Sequence, residues 1–572
     1  MLENGTSQVW GPPGCGKTTF IATQVREEVD ARGPNSVLVC SLTKAAATEV
    51  AGRDLPISRS QIGTLHSHAY RSFEPSPKIA EAAAGQWNED RGKAIGLELS
   101  TRGASTDEPG WDRRSGARGD AKLAELSRLR SARIPRSSWP ATVAYFASEW
   151  EAWKRESDHR DFTDLIDDAL AFTPTAPGLP QVIIADEAQD LSRLEMALLD
   201  KWAARAECLL IAGDPYQCLY SFRGSDPSTF LGVDVGPGRR KVLNQSYRVP
   251  AAVRDASMRW IERHKDFVKF DYRPRDAEGE FRHTGSPWQR PHRLVDMLDD
   301  HTADVKVGSL IAASKSPKIP RLGGCDDYAE QNDRTVMVLA ACSYMLAPLL
   351  KRLRVAGIPF HNPYRVKRGD WNPLRPGSGT CARLLALLRM HRSVWGRDAA
   401  LWTPADIGQW IELVRAEGLL KRGAKGKIIA EAKEERQRPI AEDWMAERFL
   451  PDALRELMAA VNGGIDTAVA WLGDHALPRP AKALEFPMRV LRSRGGDALR
   501  RRPRIIVGTI HSVKGGEADD VYLFPDLSPS GDVAWRTRHR DAVVRLFYVG
   551  MTRARRSLTI CPPSSDLCVE GL

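Results

Sequence analysis

Gly11-Pro12-Pro13-Gly14-Cys15-Gly16-Lys17-Thr18 fits the pattern G-x-x-x-x-G-K-[ST], with the apolar pair Val9 and Trp10 before it and the helical run TTFIATQVREEV after it. Strand, loop and helix in that order commit this part of the chain to an α/β fold. The glycines let backbone N–H groups turn inward around phosphate oxygens, and the helix N-terminus adds partial positive charge. Lys17 reaches the outer phosphates and Thr18 offers a hydroxyl to Mg²⁺. Gly11 to Thr19 are therefore the candidate phosphate-binding residues.

Such a loop needs an acid to hold the metal and a group to activate water. VIIADEAQD supplies both: four apolar residues of strand character feed Asp186, the expected magnesium ligand, and Glu187, expected to orient or deprotonate the attacking water.

The same alternation of short apolar runs and helical runs recurs around these motifs. SVLVCSL precedes TKAAATEVAGR, QVIIADE precedes LSRLEMALLDKWAARA, and ECLLIAGD follows, which predicts a parallel sheet with crossover helices. A second strand–helix–strand unit is read at TVMVLAA, CSYMLAPLLKRLRVAG and IPF, and it resumes at RPRIIVGTIHSVKGGEADDVYLFPD and SLTICP. Between these lie helical stretches. The first contains STRGASTDEPGWDRRSGARGD, which has little to bury and reads as a mobile surface loop. The second carries the amphipathic runs ARLLALLRMHRSVWG and DALRELMAAVNGGIDTAVAWLGDHA.

At 572 residues, with 42% hydrophobic and 27% charged, the chain has an ordinary multi-domain globular composition. No apolar run approaches the roughly 18 residues of a membrane span. The start, MLENGTSQVW, has no signal-peptide pattern, and nine cysteines without a C-x-x-C pair fit a reducing cytosol and give no zinc spacing. The net charge of +10 favours a polyanionic partner such as nucleic acid.

The phrases TLHSHAYR, DFTDLI, DEAQD, IAGDPYQCLYSFRGS, LNQSYR, GTIHSVKGGEADDVYL and RLFYVGMTRARRSL follow the order and wording of superfamily 1A helicases, and the chain resembles the UvrD/Rep/PcrA group from Gly11 to about Ile560. The resemblance implies two RecA-like P-loop motor domains, each a parallel sheet with flanking helices and a mainly helical inserted accessory domain. ATP would lie between the motors and single-stranded DNA across them. On this reading the first motor is residues 1–70 and 161–250, with the insertion 71–160. The second is 251–365 and 504–572, with the insertion 366–503.

The same resemblance implies roles residue by residue. Gln217 would sense the γ-phosphate, Tyr247 stack on the base, Arg248 grip the γ-phosphate, Arg553 serve as arginine finger and Glu517 lie near the sugar. The implied DNA contacts are Thr64, His66, Tyr220, Phe222, Arg223, Thr509 and His511. Phe222 is the best stacking platform, the rival reading being a core aromatic beside Tyr220; base stacking suits a motor that steps over any sequence.

Some positions depart from the family. Its members usually begin with a segment bearing an adenine-reading glutamine; Gln8 sits too near the loop to replace it, so weakened preference for ATP over other nucleoside triphosphates is expected. Ser41 and Leu42 stand where the family has an aromatic, so one base-stacking contact is expected to be missing. The loop GPPGCGKTT is worded like that of the sister group of opposite polarity, but the later motifs side with UvrD/Rep, and 3′→5′ movement is expected.

The expected activity is an ATP- and Mg²⁺-dependent DNA helicase that moves 3′→5′ on single-stranded DNA and unwinds duplex DNA in replication, repair or recombination. Its rivals are a translocase that displaces proteins without unwinding alone, an RNA helicase, and an inactive DNA-binding scaffold. Intact Lys17, Asp186, Glu187, Gln217, Arg248 and Arg553 argue against the scaffold. Expected partners are single-stranded DNA and single-strand/duplex junctions, with no membrane, no identifiable loading protein, and a monomer or weak oligomer. The expected location is the cytoplasm of a bacterium, or of a phage's host.

Overall fold

A computed structural model describes residues 2, 4–41, 52–101, 117–283, 334–366, 368–374, 379–434, 440 and 442–572. It divides into two compact units, one of Met1–Thr284, Leu339–Tyr344 and Thr509–Leu572, the other of Gly285–Val338 and Met345–Gly508.

The short apolar runs become strands: β1 (Gly5–Trp10), β2 (Val37–Ser41), β3 (Ile62–Thr64), β4 (Lys78–Ile79), β5 (His159–Arg160), β6 (Val182–Asp186), β7 (Cys208–Gly213) and β8 (Arg240–Val242). β2, β6 and β7 are buried along their whole length, as expected of strands covered on both faces. They form a six-stranded sheet in the order β3-β2-β6-β7-β1-β8, with every pairing parallel. Parallel pairing brings the strands' carboxyl ends to one edge, with Trp10 opposite Gly213 and Ser41 opposite both Thr64 and Asp186. That edge is where α/β sheets bind ligands. The loop Gly11–Gly16, Asp186, Asp214 and Thr64 all sit along it.

The remaining strands are β9 (Glu280–His283), β10 (Val336–Ala340), β11 (Phe360–His361), β12 (Ile505–Thr509), β13 (Ala518–Leu523) and β14 (Ala554–Ile560). Their sheet has the order β11-β12-β10-β13-β14-β9, and the pairs β11–β12, β13–β14 and β14–β9 are parallel. The second unit also carries the helices Gly379–Leu387, Pro404–Trp410, Ala424–Glu434, Pro451–Asn462, Ile465–His475 and Pro478–Arg494, the helical character read from the sequence. Two parallel sheets with mainly helical additions match the expected fold class. Of the stretch read as a mobile loop, 102–116 lie outside the described residues, as do Leu42 and the run that follows it. No helix among the described residues is long and apolar enough to cross a membrane.

In the first unit, the helices Arg118–Ser131 and Ala141–Glu156 enclose Trp87, Phe146, Trp150 and Trp153. Asp161 anchors this region to the helix Phe162–Phe172. It caps that helix through the Asp164 N–H (2.8 Å), and it accepts from Trp150 Nε1 (3.0 Å), Lys154 Nζ (2.5 Å) and Arg130 Nη1 (3.2 Å). Burial alone would raise its carboxyl pKa, yet Lys154 and Arg130 bring it down to about 2. Asp161→Ala is expected to cost roughly 3 kcal/mol, the low end for breaking a buried pair because Asp164 still faces both cations. The check is the urea midpoint followed by tryptophan fluorescence; an unchanged midpoint contradicts it.

Candidate nucleotide and nucleic-acid site

The loop between β1 and the helix Lys17–Arg32 is shaped by two left-handed glycines, Gly14 (φ 74°) and Gly16 (φ 73°). A side chain at Gly14 has no room, since its Cβ would lie 2.5 Å from Arg248 Cβ. The loop is pinned from the segment Ser246–Arg248 and from Tyr272. Pro13 O accepts from Ser246 Oγ (3.0 Å) and from the Tyr272 hydroxyl (2.8 Å), and Gly14 O accepts from Tyr247 N (2.8 Å). These carbonyls are turned to protein donors, and the helix starts without a side-chain cap. Both features favour an anion at the helix N-terminus.

Lys17 pairs with Glu187, and its ammonium lies 3.5 Å from Asp186 Oδ1. Burial would lower its pKa, but the two carboxylates hold it above its ordinary value. Asp186 is pushed up to about 6, by burial and by the neighbouring Glu187 charge. Glu187 goes the other way: burial is outweighed by Lys17 and Lys514, which hold its carboxyl well below the usual range. Thr18 and Asp186 offer hard oxygen donors of the kind Mg²⁺ takes, and Lys17 already places positive charge beside Asp186. The residues present therefore fit a nucleotide phosphate with its magnesium. Thr19 faces elsewhere, its exposed hydroxyl accepting from Arg53 Nη1 at 2.9 Å.

Glu187 has φ 53°, a strained setting for a non-glycine residue. Its carboxylate accepts from Gln189 Nε2 (2.6 Å), and Gln189 Oε1 in turn accepts from Asp214 N (3.0 Å). Gly213 permits this approach, because a Cβ there would lie 2.3 Å from Gln189 Oε1. Asp214, raised to about 6 chiefly by burial, accepts from Gln217 Nε2 at 2.9 Å. Gln217 Oε1 accepts from Arg553 Nη2 at 3.0 Å. Arg553 is buried at the end of the helix Arg540–Met551, and also donates to Val549 O (2.8 Å) and Gly516 O (3.2 Å). The structure thus brings Glu187, Gln217 and Arg553 into one hydrogen-bonded sequence.

Arg248 Nε donates to Glu517 at 2.7 Å, and Arg555 reaches the other oxygen of that carboxylate at 3.2 Å. Tyr247 is 71% exposed, with its ring beside Gly16.

The candidate DNA residues fall into two groups. Phe222 meets His511 edge-on at 6.0 Å and Tyr220 at the same separation, and Arg223 lies over the Tyr220 ring at 5.9 Å. Tyr220, Thr509 and His511 are buried while Phe222 and Arg223 are half-buried, so surface contact falls to the latter two. Thr509 Oγ1 accepts from Ser512 N at 3.2 Å. Thr64 caps the helix Leu65–Arg71 through Ser67 N (3.1 Å), and His66 Nδ1 lies 3.5 Å from Glu195 Oε1. Burial and, more weakly, the charge of Arg223 depress the His66 pKa against the pull of Glu195, so His66 and the first group share one electrostatic environment.

Lys514, in GTIHSVKGGEADDVYL, is a site residue that the sequence motifs alone do not single out. Its ammonium pairs with Asp190, donates to Gln217 O at 2.7 Å, lies 3.5 Å from Glu187 Oε2 and sits 5.4 Å from the Tyr220 ring centre. The motifs likewise do not single out Gln189 and Asp190, in DEAQD, or Asp214, in IAGDPYQ. The available signal was polar side chains directly after buried strands. Gln8 is fully buried on β1, donating to Phe230 O and accepting from Arg240 Nε, both at 2.6 Å.

Residues 1–235 match the UvrD/REP helicase N-terminal domain, and 504–561 match the UvrD-like helicase C-terminal domain. The chain belongs to the UvrD/Rep group of superfamily 1A helicases. The two parallel sheets are the RecA-like cores that this family implies. Among its relatives is the ATP-dependent DNA helicase UvrD2 of Mycobacterium tuberculosis (strain ATCC 25618 / H37Rv), 26% identical over 443 residues, 73% of this chain and 54% of UvrD2. YjcD of Bacillus subtilis (strain 168) is 24% identical over 263 residues, 41% of this chain and 34% of YjcD. The RecBCD enzyme subunit RecB of Mycolicibacterium smegmatis is 28% identical over 74 residues, 13% of this chain and 7% of RecB. The chain thus spans about half or less of the length of the curated relatives it matches, and residues 236–503 fall outside both family models.

Proposed function

We propose that the protein is an ATP-dependent DNA helicase that moves 3′→5′ along single-stranded DNA and unwinds duplex DNA in replication, repair or recombination, with motors at 1–70 plus 161–250 and at 251–365 plus 504–572. The observation that carries this reading is Lys514. One ammonium touches the acids around Glu187, the Gln217 backbone and the Tyr220 ring, so a strand that displaces the aromatic cluster moves a charge beside the hydrolytic acid.

In this account Gly11–Gly16, Lys17 and Thr18 hold the triphosphate, while Thr18 and Asp186 hold magnesium. Bound Mg²⁺ supplies charge neutralisation at the phosphate oxygens. A phosphate competing for Lys17 weakens its hold on Glu187, whose basicity rises as substrate binds; Glu187 then orients or deprotonates the water. Gln217 reads the outer phosphate, and Arg248 and Arg553 neutralise charge there. Tyr247 stacks on the base and Glu517 lies by the sugar. Phe222 stacks on DNA bases with Tyr220 beneath it; Arg223, Thr64, His66, Thr509 and His511 line the strand.

Since both polar ends of the Gln8 amide are engaged within the protein, it is not available to an adenine edge. ATP should be preferred over GTP or CTP by no more than about tenfold, roughly one neutral hydrogen bond. Comparative hydrolysis rates test this, and strict adenine selectivity contradicts it.

Strand displacement on duplexes with a 3′ or a 5′ single-stranded overhang tests the main reading. Unwinding is expected from 3′ overhangs on DNA. Unwinding only from 5′ overhangs reverses the polarity, and ATP-driven movement that never separates strands leaves a translocase.

A further inference from the structure

The helix Arg540–Met551 carries Arg553 just past its C-terminal end. Its other end, about 18 Å away at 1.5 Å per residue, borders a separate cleft of about 820 Å³ lined by Arg263, Trp535, Arg536, Arg540 and Glu570. All of these belong to the first unit.

Two of the lining arginines each lie over a tryptophan, and the two tryptophans stack on one another. Trp260 and Trp535 lie face to face at 5.7 Å with 11° between their planes. Arg263 lies over Trp260 at 4.7 Å and Arg540 over Trp535 at 4.2 Å. Trp260 is fixed from behind by Nε1 donating to Val544 O at 2.8 Å. Stacking holds each guanidinium plane in place, so little rotamer freedom is left to lose on binding.

The charges in the cleft are poorly matched. Arg536 pairs with Asp532, but among the described residues no carboxylate lies within ion-pair distance of Arg263 or Arg540. Arg263 instead donates to the Glu570 backbone carbonyl at 2.8 Å. Arg540, preceded by Arg538 and His539, opens a helix, where the backbone already carries partial positive charge. Asp541 in that first turn is occupied in part, accepting from Lys265 N at 3.1 Å. Burial first, and the charge of Arg540 second, depress the Arg263 pKa, and both side chains line the same cleft. An anion relieves this repulsion. Fixed guanidinium forks match phosphate oxygens bidentately, and an open cleft of this size suits a passing chain better than one small ion.

We propose that this cleft holds phosphodiester groups of a nucleic acid, a contact separate from the motor motifs. The assignment of nucleic acid as ligand rests on the helicase reading above. Fluorescence anisotropy across a salt series, with a fluorescein-labelled oligo(dT) and a labelled duplex as separate arms, tests it on the full chain. For the single strand, the double variant Arg263→Gln/Arg540→Gln should bind about tenfold or more weakly at low salt, with a salt slope shallower by about 1.4, roughly 0.7 per lost phosphate contact. The charge-keeping variant Arg263→Lys/Arg540→Lys should retain most of the slope. Glu570→Arg, at an exposed position, should steepen it by about 0.7, which keeps the proposal testable if the glutamine variant misfolds. An unchanged slope in the folded glutamine variant or in Glu570→Arg overturns the proposal on both probes. The arm that shows the change identifies single strand or duplex as the ligand. These slopes are read without hydrolysis, so a slope change in a chain lacking DNA-stimulated ATPase sinks the motor reading and leaves the cleft standing.

Discussion

Replacing Glu187 with glutamine should lower ATP hydrolysis by about 10²–10⁴-fold, the range for losing a general base, while nucleotide binding persists. The change is nearly isosteric. Gln189 keeps an oxygen to donate to at 2.6 Å, so the link from Glu187 through Gln189 to Asp214 stays closed. What disappears is the negative charge facing Lys17 and Lys514. Freed of Glu187, Lys17 is better able to meet phosphate, so nucleotide affinity should hold or rise. Steady-state hydrolysis alongside equilibrium binding of a fluorescent ATP analogue separates the two effects; a wild-type turnover rate contradicts the assignment.

Loss of the Arg553 guanidinium should be as severe, about 10³–10⁵-fold in rate if it acts as the arginine finger. Here its geometry requires a control. Arg553 is buried and donates to Gln217, Val549 and Gly516, so Arg553→Ala also removes structural hydrogen bonds. Arg553→Lys keeps the charge and loses the fork, and should fall nearly as far while melting close to wild type. If Arg553→Lys hydrolyses ATP normally, Arg553 serves only to hold Gln217.

The strands were readable because four to six consecutive apolar residues between turn residues have few alternatives: VIIAD and LLIAG are buried throughout β6 and β7. The phosphate loop was readable because its glycines do backbone work that the pattern encodes, and Gly14 shows it with both a positive φ and no room for a Cβ. Interactions between distant segments were not. Lys514 meets Asp190 across 324 positions of sequence, and no local pattern predicts that pair. Tyr220 reads as an aromatic beside the strand's path, yet packing against Lys514 and Phe222 takes it below the surface. Thr64 has the residue type of a strand contact and the geometry of a helix cap, a distinction that depends on the position of Ser67 N. Gln8 illustrates the same point, since the order of residues gives its distance from the loop but not its engagement with Phe230 and Arg240.

The central claim is that occupancy of a DNA strand is felt at the acid that activates water. The most direct measurement is the steady-state ATPase rate of the wild-type protein with and without single-stranded DNA. A rate that rises many-fold on adding the strand, with the gain lost in Glu187→Gln, is the predicted result. A rate that is the same with and without DNA contradicts it.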